Sequence, residues 1–135
     1  MLIFHIDGEP VPRHEIISGR RLIDARKAEK GRIKCELRRQ YNGELLATAI
    51  KVKFFFHLAI PSSAPRKKKE AMLKGLVRPT KPPDCSNLQK LYEDCLIGTV
   101  IEDDRFVVSI SSVKSWSLYG YTLIQIATIE ETNVI

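Results

Sequence analysis

Residues 81–90 of the chain read Lys81-Pro82-Pro83-Asp84-Cys85-Ser86-Asn87-Leu88-Gln89-Lys90, and the surrounding elements are predicted most directly from this stretch. Its prolines favour an extended approach, because proline restricts its own backbone and that of the residue before it. Either Asp84 or Ser86 can then cap a helix that runs from about residue 87 to residue 96. The apolar residues of this helix recur every three or four positions, so we expect one of its faces to be buried.

Strands are predicted on both sides of that helix. Residues 50–60 alternate between two sets of side chains, one of them apolar throughout, which is the pattern of a half-buried strand. Residues 1–7 form a shorter apolar run of the same kind. Residues 107–116 and 121–129 are rich in β-formers and are joined by a short segment ending in Gly120, so we expect these two strands to form a hairpin.

Two further helices complete the predicted fold. The first runs from about residue 25 to residue 41 with Asp24 as its N-cap. The second runs from about residue 66 to residue 74 and is closed by Gly75. Residues 13–23 are basic and are interpreted as irregular. The resulting order, β-α-β-α-α-β-β, is that of an α/β domain with a mixed sheet and flanking helices.

The composition favours one globular domain with a polyanionic partner. The 135 residues suit a single domain over residues 1–135, and 44% of them are hydrophobic. The formal net charge of +6 and the pI of about 9.3 attract either nucleic acid or an anionic membrane. No apolar stretch approaches the ~20 residues of a spanning helix. The N-terminus has neither a basic leader nor a cleavage site, so we expect no signal peptide.

The cysteines indicate a reducing compartment. Three of them, Cys35, Cys85 and Cys95, cannot all pair within one chain. Their spacing fits no zinc-binding pattern, and no histidine lies near the second or third of them in the sequence. We therefore expect reduced thiols in a cytosolic protein.

The charges of the chain are segregated along its sequence. Residues 13–39 hold ten Lys or Arg against four acids, and residues 66–81 hold seven against one. Six acids gather within residues 84–104. We interpret this pattern as a basic cradle around an acidic centre, in which Lys and Arg hold phosphates and carboxylates hold a cation. The alternative is that a run such as residues 66–69 is only the solvated start of a helix.

The acidic residues suit a magnesium site. Asp84 is predicted at a helix N-terminus, where backbone N–H groups favour an anion, and Asp103 and Asp104 precede a strand. If that strand returns beside the helix, Asp84 and Asp104 converge, with Asp94 and Asp103 near them. Carboxylate oxygens are the ligands that Mg²⁺ prefers, and Lys90 could stabilise charge on a bound phosphate. The alternative is that Asp84 is only a helix cap and that the acidic pair only forms a turn.

These residues resemble the signature of the RusA family of Holliday junction resolvases, which are crossover junction endodeoxyribonucleases. The family pattern reads K-P-D-x-D-N-L-x-K, followed by D and then by a D-D pair. Residues 81–90 resemble the first part, Asp94 the second, and Asp103 with Asp104 the third. The resemblance covers about residues 61–116, where several spacings agree at once.

The resemblance implies a RusA-like fold and a homodimer that binds four-way DNA junctions in recombination and repair, cutting paired strands with Mg²⁺. It also implies a bacterial or prophage-encoded protein of the cytoplasm. By position, Asp84 and Asp104 match catalytic, metal-binding aspartates, and Lys90 matches a catalytic lysine. Asp94 and Asp103 match further acidic positions of the metal site. The basic side chains expected to hold DNA are Arg13, Arg66, Lys67, Lys68, Lys69, Lys74, Arg78, Lys81 and Lys114.

One position departs from the family pattern, because the second aspartate of D-x-D-N is Ser86 here. A neutral hydroxyl is a poorer Mg²⁺ ligand than a carboxylate, so metal binding should be weaker. Three outcomes are open: Asp94 or Asp103 compensates, the enzyme is slower or needs Mn²⁺, or the protein binds junctions without cutting them. A basic RNA-binding module is a further alternative, but the chain has no RNP-like aromatic run and no KH-type glycine loop.

Two aromatic residues of the predicted C-terminal strands, Trp116 and Tyr121, are candidates for contact with DNA. Either ring could stack on an exposed base at the centre of a junction. The alternative, which their positions on strands favour, is packing in the core or along an edge of the sheet.

Overall fold

The computed structural model describes residues 1–13, 15–18, 21–24 and 26–131, and the side chains of residues 1–13 and 26–131. In chain order the elements are β1 (Leu2–Asp7), β2 (Glu15–Ser18), β3 (Arg21–Asp24), α1 (Lys27–Gln40), β4 (Ile50–Ala59), α2 (Arg66–Leu73), α3 (Cys85–Leu96), a short 3-10 helix (Asp104–Phe106), β5 (Val107–Ser117) and β6 (Tyr121–Thr128). The predicted α/β class, with a mixed sheet and flanking helices, is confirmed. None of the described helices is long and apolar enough to cross a membrane.

A four-stranded sheet in the order β1-β6-β4-β5 organises the domain. β4 is an interior strand that pairs antiparallel with β6 and parallel with β5. β1 pairs antiparallel with β6 at one edge, and β5 forms the other edge. Buried and more exposed residues alternate along β4, because successive side chains of a strand point to opposite faces. The alternation predicted for this strand is therefore confirmed.

The predicted hairpin between the last two strands is wrong. β5 and β6 lie on opposite sides of β4 and do not pair with each other. They are two strand spacings apart, about 10 Å. The link from Ser117 to Tyr121 can reach that far, because its four Cα–Cα steps span up to about 15 Å. At the end of β4 the Ile60 N–H donates to the Ser117 carbonyl at 3.0 Å. The strand β4, which is distant in sequence, therefore lies between β5 and β6, where a hairpin would pair these two strands directly.

The prediction of irregular structure over residues 13–23 is also wrong. β2 and β3 form a two-stranded antiparallel sheet, with Ile16 opposite Ile23 and Ile17 opposite Leu22. Isoleucine favours strands, and the segment holds Ile16-Ile17 before its turn and Leu22-Ile23 after it. The high positive charge around them hides this pattern in the sequence.

Helix α1 begins later than predicted. Its N-cap residue is Arg26. Asp24, the predicted cap, is instead the last residue of β3, so that prediction is wrong, and the predicted first residue of the helix, Ala25, lies outside the described residues. The helix buries Ile33 and Leu37, which are four positions apart and therefore lie on one face.

The core lies between one face of the sheet and helices α1 and α3. Its fully buried side chains include Phe4, Ile6, Ile33, Leu37, Val52, Phe54, Phe56, Leu88, Leu91, Tyr92, Ile124 and Ile126. Burial of each large apolar side chain contributes roughly 1.5–3 kcal/mol. Helix α3 supplies several of them, so the orientation of its polar face relative to the sheet is fixed. No disulfide joins the three cysteines in the described chain.

Three rings stack on the opposite face of the sheet. Tyr121 lies between His5 and His57, with ring centroids 5.0 Å and 4.1 Å from its own. The Ser115 hydroxyl lies 3.3 Å from His57 Nδ1. Burial lowers the pKa of His57, and the nearby charge of His5 lowers it further.

This histidine should make stability depend on pH. Because the folded chain binds the His57 proton less tightly than the unfolded chain does, stability is complete above the ordinary pKa of 6.5 and falls as the pH drops below it. We expect His57→Gln to lose less stability than the wild type between about pH 7.5 and about pH 5.5, by less than about 1 kcal/mol because the partly exposed ring is screened. Thermal unfolding followed by circular dichroism measures the difference, and equal losses would contradict the assignment.

Candidate functional site

Asp84 stands at the N-terminus of α3 as its N-cap residue. Its backbone carbonyl accepts from the Leu88 N–H at 3.0 Å, which begins the helix. Its carboxylate makes no capping bond to a backbone N–H and instead accepts from the side-chain amide of Asn87 at 3.5 Å. The residue is exposed, and the helix dipole favours its negative charge. The hydrogen bonds therefore do not support the alternative that the Asp84 carboxylate serves only as a cap.

Lys114 ties the loop before Asp84 to the edge strand of the sheet. This lysine lies on β5, and its ammonium donates to the carbonyls of Lys81 and Pro83, both at 2.9 Å. Hydrogen bonds from a charged donor are stronger than neutral ones, so these two hold the loop firmly. Lys114 is predicted to hold DNA, but two of its three N–H donors are engaged within the protein. In the structure it positions the segment that presents Asp84.

Two further contacts hold the first half of α3. The Ser112 hydroxyl of β5 donates to Gln89 Oε1 at 2.5 Å, so the helix runs alongside the edge strand. The Arg13 backbone N–H donates to the Asn87 carbonyl at 3.0 Å, which attaches the segment after β1 to the first turn of the helix. The start of α3 is therefore fixed from two sides.

The side of α3 that faces away from the core is polar. Asp84, Ser86 and Lys90 are exposed, whereas Leu88 and Leu91 are fully buried. Residues four apart on a helix lie on the same side, so Ser86 and Lys90 share one face. A carboxylate, a hydroxyl and an ammonium thus line the exposed side of the first two turns.

Four carboxyl groups gather near the last turn of α3: Glu93, Asp94, Asp103 and Asp104, named here the acidic cluster. A side-chain hydrogen bond between Asp103 and Asp104 raises the pKa of Asp104, helped by the charges of Asp103 and Asp94, and lowers the pKa of Asp103. Burial raises the pKa of Glu93, and the charges of Asp104 and Asp94 raise it further. Glu93 is missing from the predicted site, although it is the direct neighbour of Asp94. Mutual repulsion of this kind is relieved when a cation binds.

Two members of the acidic cluster have basic neighbours. The Lys30 ammonium lies 3.6 Å from the Asp94 carboxylate and links α1 to α3. The Arg105 guanidinium lies 3.6 Å from the Asp103 carboxylate, which also accepts from the Arg105 backbone N–H at 3.3 Å. Asp104 and Glu93 form no ion pair with a basic side chain in the described chain.

Asp84 and the acidic cluster lie near opposite ends of α3. Asp94 comes ten residues after Asp84, which is about 15 Å along a helix axis. The structure brings Asp104 beside Asp94 and Asp103, and no contact within the described ranges joins it to Asp84. The convergence of Asp84 with Asp104 therefore stays a prediction.

The donor chemistry of these residues fits a hard divalent cation, because every predicted ligand is a carboxylate. The neighbouring carboxylates contribute to the raised pKa values of Asp104 and Glu93, after the hydrogen bond from Asp103 in the first case and burial in the second. Within the part of the chain that the structure describes, however, no three His, Cys, Asp or Glu side chains are arranged to hold a metal ion.

The basic side chains predicted to hold DNA lie mainly on α2 and on the segment that leads to α3. The exposed ones are Arg13, Arg66, Lys67, Lys68, Lys74, Arg78 and Lys81, and Lys69 is partly exposed. Arg66 pairs with Glu70 at 3.4 Å, a solvent-exposed contact of small energetic value. These side chains can therefore reach a phosphate backbone, and their contact with DNA stays a prediction.

Comparison with known proteins identifies relatives of the chain. The sequence profile of the family described as Endodeoxyribonuclease RusA matches residues 7–127. YqaN of Bacillus subtilis (strain 168), described as an uncharacterized protein, is 32% identical in an alignment of 123 positions that covers 84% of this chain and 87% of YqaN. The region matched by the profile includes Asp84, α3 and the acidic cluster.

Proposed function

The chain belongs to the RusA endodeoxyribonuclease family, and on that premise we propose that it is a divalent-metal-dependent endonuclease that cuts four-way DNA junctions. The observation that carries the proposal is the exposed Asp84 carboxylate, which makes no capping bond and shares the start of α3 with Lys90. The loop that presents it is held by Lys114. A carboxylate and a cation beside a basic surface are what metal-assisted phosphodiester cleavage requires.

We propose that Asp84 and Asp104, with Asp94 and Asp103 beside the latter, hold the divalent ion. Their oxygen donors suit Mg²⁺ best, and Mn²⁺ is the alternative. When bound, such an ion would supply an activated water and offset charge on the leaving oxygen. The Lys90 ammonium would stabilise charge on the scissile phosphate, and the basic side chains of α2 would hold the flanking phosphates.

We also propose that the working form is a homodimer. A four-way junction suits a two-fold symmetric partner, because cutting paired strands needs two equivalent sites. Each protomer would then contribute one copy of α3 with its basic surroundings.

Cleavage of a synthetic four-way junction tests the proposed function. We expect paired nicks with Mg²⁺ or Mn²⁺, no nicks with EDTA, and little cutting of a linear duplex built from the same arm sequences. Folded protein that binds the junction and gives no nicks with either metal would refute the enzymatic proposal. Competition with double-stranded RNA separates this function from RNA binding, because shape-reading RNA-binding modules favour the A-form helix.

A second candidate function is a junction-binding protein with weak or absent cleavage, and Ser86 favours it. This hydroxyl is exposed in the first turn of α3, two residues from Asp84, where the family pattern has a carboxylate. With one anionic ligand fewer, a metal ion would bind more weakly. Tight junction binding together with slow or undetectable nicking by the wild type would favour this second candidate.

Ser86→Asp is expected to lower the Mg²⁺ concentration for half-maximal cleavage by about tenfold or more, because it adds an anionic ligand beside Asp84. Titration of junction cleavage with Mg²⁺ measures the shift, and Ser86→Asn is the neutral control. The first turn of α3 holds no acid in the wild type, so Ser86→Asp should also stabilise the helix by roughly 0.3–1 kcal/mol. Thermal unfolding in EDTA separates this effect from metal binding. An unchanged Mg²⁺ requirement would place position 86 outside the metal site.

A further inference from the structure

Trp116, the one tryptophan of the chain, lines a cleft between α2, the segment that follows α2 and the end of β5. We name it the Trp116 cleft. Its volume is about 180 Å³, and its apolar walls include Met72 and Val77. A neighbouring cavity of about 370 Å³ shares Met72, Val77, Arg78 and Trp116 with the cleft, so the space beside the indole is large enough for one planar group.

Trp116 does not belong to the hydrophobic core. The core cluster of the described residues is built on other rings, namely Phe4, Phe54, Phe56 and Tyr92. The indole nitrogen of Trp116 is buried and has no hydrogen-bond partner in the described chain. A buried tryptophan usually pairs its N–H, and an unpaired donor lowers stability. Trp116 lies opposite the buried Leu58 and beside the buried Met72, so its ring packs at the margin of the core while its N–H has no partner among the described residues.

Three cationic side chains line the cleft together with the indole. Lys68, Arg78 and Lys81 line it, and no described carboxylate does. None of these three side chains forms an ion pair with an acid in the described ranges, so their charges are available to an anion. Trp116 comes two residues after Lys114 on β5, about 7 Å further along the strand and on the same face. Since Lys114 holds the loop before Asp84, the cleft adjoins the proposed active site.

The other aromatic candidate, Tyr121, lacks these properties. Its ring is stacked between His5 and His57, so both of its faces are occupied by side chains of the protein. Of the two aromatic candidates, Trp116 lines a cleft, whereas the ring of Tyr121 is covered by the protein.

We propose that the Trp116 cleft binds one unpaired nucleotide of the DNA substrate, with the base against the indole and the phosphate held by Arg78 and Lys81. The proposal deepens the proposed function and rests on it, because the cleft adjoins the loop that presents Asp84. Aromatic faces stack on any base and cations hold any phosphate, so such a site selects unpaired nucleotides rather than a sequence. In a duplex each base is already stacked and paired, which disfavours its entry into the cleft.

The single tryptophan makes stacking directly measurable. In buffer with EDTA and no metal, a short oligothymidylate is expected to quench the fluorescence of the wild type to saturation. A linear duplex and inorganic polyphosphate should bind without comparable quenching.

Trp116→Ala is expected to weaken oligothymidylate binding by about 5- to 150-fold, measured by anisotropy of a labelled strand. Arg78→Gln should also weaken it, whereas Lys53→Gln on the opposite face of the sheet is the matched control.

Absence of quenching, or equal quenching by duplex and polyphosphate, would overturn the proposal. If Trp116→Ala fails to fold, Trp116→Phe keeps an aromatic face and should retain most of the affinity, while the wild-type fluorescence still decides the question. These measurements contain no metal and do not depend on cleavage. A protein that is quenched but never cuts junctions refutes the nuclease proposal alone, and one that cuts without quenching refutes the cleft alone.

Discussion

Raising the salt concentration from about 50 to about 200 mM is expected to weaken junction binding by roughly 10³–10⁵-fold. Each phosphate that Lys or Arg neutralises releases condensed counterions, and this release becomes less favourable as salt is added. Arg13 and the seven basic residues from 66 to 81 provide a set that matches the roughly six to ten contacts for which such a loss is expected. Anisotropy of a labelled junction in EDTA, measured over a series of salt concentrations, gives the slope. A flat response would contradict both proposed functions.

Matched double variants identify which lysines hold phosphate. Lys67→Gln combined with Lys68→Gln removes two charges from α2 and should reduce the slope of log affinity against log salt by about two. Lys51→Gln combined with Lys53→Gln removes the same charge from the β4 side chains that alternate with its buried residues, away from α2. That slope should stay close to the wild-type value. Equal reductions in both double variants would show that net charge, rather than the α2 surface, governs binding.

Patterns within a few residues account for the elements that were predicted correctly. The alternation along β4 reflects the two faces of any strand, so it is visible in residues 50–59 alone. Helix α2 ends before Gly75, which adopts a φ of +75° that glycine tolerates and other residues rarely do. Asp84 is likewise predictable as an N-cap, because prolines precede it and an amphipathic helix follows.

Contacts between distant residues account for what the sequence did not reveal. The short link after Ser117 is compatible with a hairpin, and only the position of β4 decides that β5 and β6 are separated. From sequence, Lys114 was predicted to contact a phosphate, as a lysine of a basic protein often does. Its hydrogen bonds to backbone carbonyls 31 and 33 residues away depend on the fold and could not be predicted. Glu93 was not predicted as a site residue either, because its raised pKa depends on burial and on the charge of Asp104, which is eleven residues later.

Asp104→Asn is expected to slow junction cleavage by on the order of 10²–10⁴-fold, because loss of a metal ligand removes several kcal/mol of charge stabilisation in the transition state. The substitution preserves shape and removes a like charge beside Asp103 and Asp94, so the variant should unfold at no lower a temperature than the wild type. Single-turnover cleavage with Mg²⁺ measures the rate, and binding in EDTA should not weaken. Glu102→Gln, an exposed carboxylate outside the acidic cluster, is the matched control and should cleave at the wild-type rate.

Asp84→Asn is expected to cause a loss of similar size, and the two variants together decide how the site is assembled. Asp84 and Asp94 are about 15 Å apart along α3, and Asp104 lies beside Asp94. If one protomer supplies both aspartates to a site, mixed dimers of the two variants contain no intact site and stay inactive. If a site takes Asp84 from one protomer and Asp104 from its partner, mixed dimers hold one intact site and nick one strand. Full activity of Asp84→Asn alone would assign the metal to the acidic cluster and remove Asp84 from the mechanism.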